Sequence, residues 1–295
     1  METAAISLKH IKKIKDSGRF NIDNLQHYCL SVLIGPNDLQ LCVTDTRKNR
    51  VLLLEDFILK GVHSTESHLQ AIEQVYEDHT LLNAAFYKEI RVAFKNRKFS
   101  LVPQDLYEPS AKEDYLRINA SLDPIADRVL DYQHQQSKMV TVHAAPALIL
   151  DFLQKKYPNG NLQILHHSNG MLEGLMKYSD LPREKTLFFF IDRFQIHLAV
   201  VQQKKLHFFN TFSIRSSEDY IKYMLNVMQS LEMKPANNRV VLFGFIRPQS
   251  KHFQYLHKYA RNISFGHRSK QLKANYEFDE LGEHQYFDLL NLYHC

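Results

Sequence analysis

The chain opens on a basic, polar stretch over residues 1–26 and turns to strand patterning at Tyr28. "YCLSVLIG" is apolar almost throughout, "LQLCVTD" alternates apolar and polar positions, and "RVLLLEDFIL" is apolar again. The short polar breaks "PND" and "TRKN" separate them, so this stretch predicts an antiparallel meander of three strands. Leu69, Ile72, Val75, Tyr76 and His79 then recur at helical spacing and predict a helix over 65–82. "EIRVAF", the basic turn "KNRK" and "FSLVP" read as another hairpin. Residues 109–121 read as helix, and 124–137 fit neither template. "KMVTVHA" reads as a buried strand and "PALILDFLQKKYP" as a helix bracketed by prolines. "NLQILHH" reads as a strand and "NGMLEGLMKYS" as a short helix.

The pattern restarts at Lys185. "KTLFFFID" is an apolar strand, "QIHLAVVQ" alternates, "QKK" turns, and "LHFFNTFSI" is a third strand. Ser216 with Asp219 three residues on predicts a capped helix start. Tyr220, Ile221, Met224, Leu225, Met228 and Leu231 form its apolar stripe. "RVVLFGFI" reads as a buried strand, "SKHFQYLHKYAR" as a helix, "NISFG" as a strand, and "EHQYFDLLNLYH" as a closing amphipathic helix. One constant offset sets "LQLCV" (39–43) on "IHLAV" (196–200), and at that offset Val51 falls on Phe208. A helix follows each meander. The repeat predicts an ancient duplication of a β-β-β-α-β-α unit.

Two such units in tandem resemble the duplicated ribonuclease-H-like architecture of the actin-like ATPase superfamily, which includes actin, Hsp70 chaperones and sugar kinases. More narrowly, the chain looks like a bacterial family with an actin-like fold and no assigned function. The implied fold class is α/β: two ribonuclease-H-like lobes with mixed sheets that open on antiparallel meanders and are flanked by helices. The expected boundaries are a leader over 1–26, a first lobe over 27–183 and a second over 184–295. Residues 85–137 read either as an insertion or as part of the first sheet.

The resemblance implies ATP and magnesium held by two phosphate loops and an adenosine motif. The first loop is an Asp–x–Gly pattern between the first two strands, where the acid helps hold hydrated magnesium and glycine admits phosphate to the backbone. In "VLIGPNDLQLCV" Gly35 matches, Leu33 stands at the acid, Pro36 removes an amide, and Asp38 is a substitute acid. The second loop is an acid followed by glycines. Here Asp192 matches, but Arg193, Phe194 and Gln195 follow it, and their Cβ atoms crowd a phosphate. The adenosine motif is a strand ending in two glycines. Here Gly244 matches and Phe245 replaces the second, with a ring that fills the adenine slot. The frames are kept and the phosphate-binding residues are not. The bland reading gives Gly35 and Gly244 to turns, and has Asp192 end a strand.

Composition narrows the remaining chemistry. Hydrophobic residues make up 44% and charged residues 23%, as in ordinary globular chains. Only 9 glycines are present, little material for glycine-rich phosphate cradles. No stretch approaches the ~20 apolar residues of a membrane span. The N-terminus lacks the apolar core of a signal peptide, which implies a cytoplasmic protein. Cys29, Cys42 and Cys295 make no disulfide framework, and Cys29 and Cys42 lie on neighbouring strands as small hydrophobes. Sixteen histidines are present, yet no metal-ligand spacing occurs, and His166 and His167 would point to opposite faces of a strand. The net charge of +5 permits an anionic partner. Basic residues gather at three predicted tips: Arg47, Lys48 and Arg50; Lys95, Arg97 and Lys98; Lys204 and Lys205. They read as solvated turns or as a surface for acidic protein or RNA.

Three functional readings follow. The leading one is a non-catalytic interaction or assembly protein on an actin-like scaffold, with no cofactor and another protein as partner. The second is a divergent ATP-binding enzyme or nucleotide sensor that uses Asp38 and Asp192, with magnesium. The third is a nucleic-acid-associated protein that uses the basic tips.

Overall fold

The structure is a computed structural model and describes residues 5–159, 161–178, 183–193 and 195–295. The chain divides into two compact units. The first comprises Met1–Gly174, Gln271–Asp279 and Asp288–Cys295, and the second Leu175–Lys270 and Glu280–Phe287. This division differs from a single cut at 183/184, because C-terminal residues return to the first unit. Val51 donates to Lys273 O at 2.9 Å, and Arg91 Nη1 donates to Leu292 O at 2.9 Å. The expected boundary at 183/184 adjoins residues 179–182, which lie outside the described residues.

The first unit is built on a six-stranded sheet. The meander forms β2 (Tyr28–Ile34), β3 (Asp38–Asp45) and β4 (Arg50–Lys60). Apolar runs with short polar turns leave little alternative to local antiparallel pairing. β1 (Ser7–Lys15) adds to the outer side of β4, so residues 1–26 are not a detached leader. A bulge at Ile11 and four lysines in nine residues hide the strand pattern. Lysine and bulges are the usual protection of a sheet edge, which is where β1 lies.

α1 (Thr65–Glu77) starts at a Ser64–Ser67 capping box and buries Ala71, Ile72, Val75 and Tyr76. The expected helix over 65–82 breaks after Glu77, and α2 (Thr80–Asn83) starts anew. His79 causes the break: it caps α2, its Nδ1 accepting from Leu82 N at 3.2 Å, rather than extending the apolar stripe of α1. β5 (Glu89–Phe94) then lies parallel to β2.

The chain next leaves this sheet. β6 (Phe99–Pro103), β7 (Asp127–Gln133) and β8 (Met139–Pro146) make a separate three-stranded sheet in the order β6-β8-β7, packed by α3 (Lys112–Arg117). β5 and β6 therefore do not form a hairpin; "KNRK" carries the chain from one sheet to another. The excursion runs from Phe99 to Pro146 rather than over 85–137, since β5 belongs to the main sheet. Residues 124–137 contain β7, and helix occupies less of 109–121 than its pattern suggests. α4 (Ala147–Lys156) returns to the main sheet, and β9 (Leu162–His166) pairs parallel with β5. Leu30, Val32 and Ile34 pack with Ile72, Ile149 and Leu153 into one core. Burying each such side chain stabilises the fold by about 1.5–3 kcal/mol.

α5 (His167–Met176) follows β9 without a loop. Because the strand ends between them, His166 and His167 do not take opposite faces, and their rings lie 4.2 Å apart. Both are buried, as is His143 on β8.

The second unit has a five-stranded sheet in the order β12-β11-β10-β13-β14. Its strands are β10 (Thr186–Ile191), β11 (Gln195–Gln202), β12 (Lys205–Ser213), β13 (Val240–Gly244) and β14 (Ile263–Phe265). α6 (Ser217–Ser230), with its Ser216–Asp219 capping box, and α7 (Lys251–Tyr259) cover one face, against Phe189, Leu198 and Leu242. On the other face Phe188, Phe190 and Phe243 stack together and meet Phe287. The C-terminal amphipathic pattern condenses to α8 (Phe287–Asn291) and one 3-10 turn (Leu292–His294).

The two sheets repeat in order, β4-β3-β2-β5-β9 against β12-β11-β10-β13-β14. They also repeat in register. Ile34 pairs with Leu39 as Ile191 pairs with Ile196, a constant offset of 157 positions. Each sheet has a bulge at the same place, after Val43 and after Val200. The third strands are offset by 155 on both sides of the bulge: Thr44 pairs with Val51, and Val201 with Leu206. Val51 thus matches Leu206, not Phe208, because the turn before β12 is two residues shorter than that before β4.

Burial holds the His143 pKa down from 6.5 to about 3, against the weaker opposing effect of the Thr141 backbone, and burial takes His166 well below its ordinary value. Unfolded, both imidazoles bind protons near 6.5, so the unfolded state holds more protons as pH falls through that value. Stability is full above about pH 6.5 and drops as the pH falls toward 3. His143→Leu is expected to shift the acid-unfolding midpoint to lower pH, as read by far-UV circular dichroism.

Candidate functional site

The expected phosphate loops are the first hairpin turns of the two sheets. They are the same turn in backbone. Gly35 N donates to Asp38 O at 2.8 Å, and Asp192 N to Gln195 O at 3.0 Å. The residue after the fourth strand then closes over each turn. Lys95 N donates to Ile34 O at 2.8 Å, and Phe245 N to Ile191 O at 2.8 Å. The duplicated backbone therefore delivers one side chain, Lys95 or Phe245, to the same place in each unit.

In the first unit that side chain is a cation. Lys95 Nζ lies 2.8 Å from Asp38 Oδ2, and both side chains are buried, at 2% and 6% exposure. Gln40 Nε2 also donates to Asp38 Oδ2 at 3.2 Å. Lys95 is thus not a solvated basic tip: β5 carries it inward from the strand end, onto the acid. A Cβ on Gly35 would stand 1.9 Å from Asp38 Oδ1 and 3.1 Å from the Lys95 stem. Glycine is required here by the ion pair itself. His68 of α1 lies near Gly35 and Asp38, and burial holds its pKa below the usual histidine value. Leu33, at the expected magnesium acid, is fully buried.

In the second unit the closing side chain is aromatic. The Arg193 guanidinium carbon sits 4.4 Å from the centre of the Phe245 ring, a cation–π contact. Tyr286 meets that ring edge-on at 5.3 Å. Asp192 turns its Oδ1 to Arg193 N at 2.8 Å. Phe194 lies outside the described residues. Gly244 has φ +91°, and a Cβ there would lie 2.1 Å from Ile191 O. Its amide donates to His284 O at 2.8 Å. The strand contact requires this glycine without any ligand.

Asp38 and Asp192 are not equivalent. By register Asp192 matches Gly35 and Asp38 matches Gln195. A hydrated magnesium needs carboxylate oxygens to spare, and phosphate needs open backbone amides. Gly35 and Asp192 both give their amides to the turn, and both acids are engaged locally. Among the described residues, those of these turns do not fit a magnesium–phosphate group.

Residues 17–263 match the family described as "Protein of unknown function (DUF3822)". The chain belongs to this family. Its fold is that of the actin-like ATPases. A Bacteroides thetaiotaomicron protein described as having an actin-like ATPase fold and unknown function is 16% identical. It superposes with TM-score 0.80 over 94% of this chain and all of its own. A structure of the PilM–PilN type IV pilus biogenesis complex matches at 13% identity and TM-score 0.54. It covers 90% of this chain and 97% of the matched one. No curated protein matches by sequence.

Two of the remaining basic residues of this DUF3822 chain meet neighbouring acids. Lys98 Nζ pairs with Asp127 at 2.5 Å, and Arg47 reaches Asp45 at 3.8 Å. Arg50 begins β4 and is half-buried, while Lys48, Arg97, Lys204 and Lys205 are exposed. Cys29 and Cys42 share a face of neighbouring strands, and burial raises their thiols to about 11 and about 12. No group of three metal-ligating side chains occurs among the described residues, and no helix there is long and apolar enough to cross a membrane. The sequence reading missed the Lys95–Asp38 pair, whose partners lie 57 positions apart. The available signal was a lysine directly after a buried strand, at the repeat position of Phe245.

Removing one partner of a buried ion pair strands the other charge. Lys95→Met and Asp38→Asn are each expected to lower stability by about 3–5 kcal/mol. The double variant should lose less than the two together, as measured by urea unfolding. Gly244→Ala should cost more than about 1 kcal/mol in the same assay, because alanine is incompatible with that φ.

Proposed function

We propose that this protein is a non-catalytic interaction or assembly component, located in the cytoplasm, on an actin-like scaffold. The observation that carries the reading is the closure of both phosphate-loop turns by the chain's own side chains, Lys95 on Asp38 and Phe245 on Arg193. A working loop keeps its amides and acid free for the ligand; here the turn amides and acids bond locally. Similarity to a scaffold solved as part of the PilM–PilN complex supports a protein partner. The nucleic-acid reading is the weaker one, since Lys95 is buried and Lys98 is paired.

Titration calorimetry with magnesium-ATP is expected to give no binding at millimolar nucleotide, and a phosphate-release assay no turnover above a buffer blank. Saturable ATP binding that Asp192→Asn abolishes would reject the proposal in favour of a nucleotide sensor.

A further inference from the structure

A cavity of about 560 Å³ opens in the first unit, and no residue of the hairpin turns lines it. It lies beside β1 and β4, under the link between α1 and α2. That volume is in the range of sites for small organic ligands.

At one end sits Glu55, whose side chain is 2% exposed. His10 Nε2 at 3.2 Å, Lys13 Nζ at 3.1 Å and His79 Nε2 at 3.3 Å surround its carboxylate. Because His79 Nδ1 accepts from Leu82 N, its proton is on Nε2 and is donated to Glu55. Desolvation pushes the Glu55 pKa up, but His79 and Lys13 outweigh it and hold the group below the usual carboxylate value. Glu55 is therefore an ionised wall, already neutralised by Lys13.

Lys15 lies two residues on, opposite Leu53. It has no carboxylate within ion-pair distance among the described residues, and its ammonium rests 4.6 Å from the centre of the Phe20 ring. Leu53 and Leu81 form an apolar floor, and Ile22 stands beside them 47% exposed. The other acid of the lining is Asp78, which is exposed. Two lysines and two acids leave no net charge to attract a polyanion. One unpaired cation beside an apolar floor and an aromatic ring matches a single negative charge on an apolar body.

We propose that this cavity binds a small organic monoanion, a carboxylate with an aryl or branched alkyl body, its charge on Lys15 and its body against Phe20 and Leu53. The site is independent of the assembly reading, and ATP binding at the hairpin turns would leave it standing.

The test titrates the full chain with 3-phenylpropionate by calorimetry. Saturable binding is expected, weakened at least about tenfold by Lys15→Gln, which removes a charge-assisted hydrogen bond, and unchanged by Lys48→Gln, since that lysine does not line the cavity. Thermal melts confirm that each variant folds; Lys15 is a surface residue of an edge strand, and its uncharged replacement leaves the backbone pairing intact. Phenyl phosphate and L-phenylalanine serve as competitors. No saturation, equal affinity in Lys15→Gln, or tighter binding of either competitor than of 3-phenylpropionate would overturn the assignment.

Discussion

Lys95 and Asp38 can both be buried only while they face each other. Each ion alone would carry a desolvation penalty of several kcal/mol, so the pair constrains everything that brings it together. β5 must lie parallel to β2 in the register that sets Phe94 against Ile34, or Lys95 misses the turn. The turn must close from Gly35 to Asp38, or the carboxylate points elsewhere. Residue 35 must lack a Cβ, or the carboxylate cannot fit. Strand order, turn geometry and one glycine are thereby tied to a single contact 2.8 Å long.

The second unit shows which parts of that arrangement belong to the fold and which to the side chains. Its turn has the same length, the same closing bond and the same overlying residue, yet the contact is Phe245 on Arg193. A partly exposed cation–π contact contributes about 0.5–1 kcal/mol, far less than is lost on breaking a buried ion pair. The backbone closure is common because it ends a hairpin and seats a parallel strand beside it, whatever the side chain. That requirement explains how the same turn outline persists under two different side-chain contacts.

The legible parts of the sequence were those whose cause is local. Apolar runs parted by short polar turns gave both meanders, and the alternation in "LQLCV" and "IHLAV" fixed an offset that the hydrogen-bond register repeats. Where the cause is distant, pattern failed. β1 looks like a solvated leader because an edge strand has little apolar surface to show. "EIRVAF" and "FSLVP" look like a hairpin because nothing in them states that β5 is claimed by β2 and β9 and β6 by β8. His79 fits a helical stripe by spacing, but its ring nitrogens serve a cap and Glu55. Lys95 fits a basic tip by composition, and only the parallel pairing of β5 on β2 turns it inward.

A functional phosphate loop holds amides unpaired and glycines mobile, and both weaken the empty fold. Pairing those amides within the turn and laying a side chain over them removes the weakness. The first unit does this with charge, which demands near-complete burial; the second does it with a ring, which does not. Charge left without a partner therefore has to lie elsewhere. In the first unit one such place is the edge of the sheet, where Lys13 neutralises Glu55 and Lys15 rests on an aromatic ring. An edge strand that pairs on one side only keeps such side chains within reach of solvent.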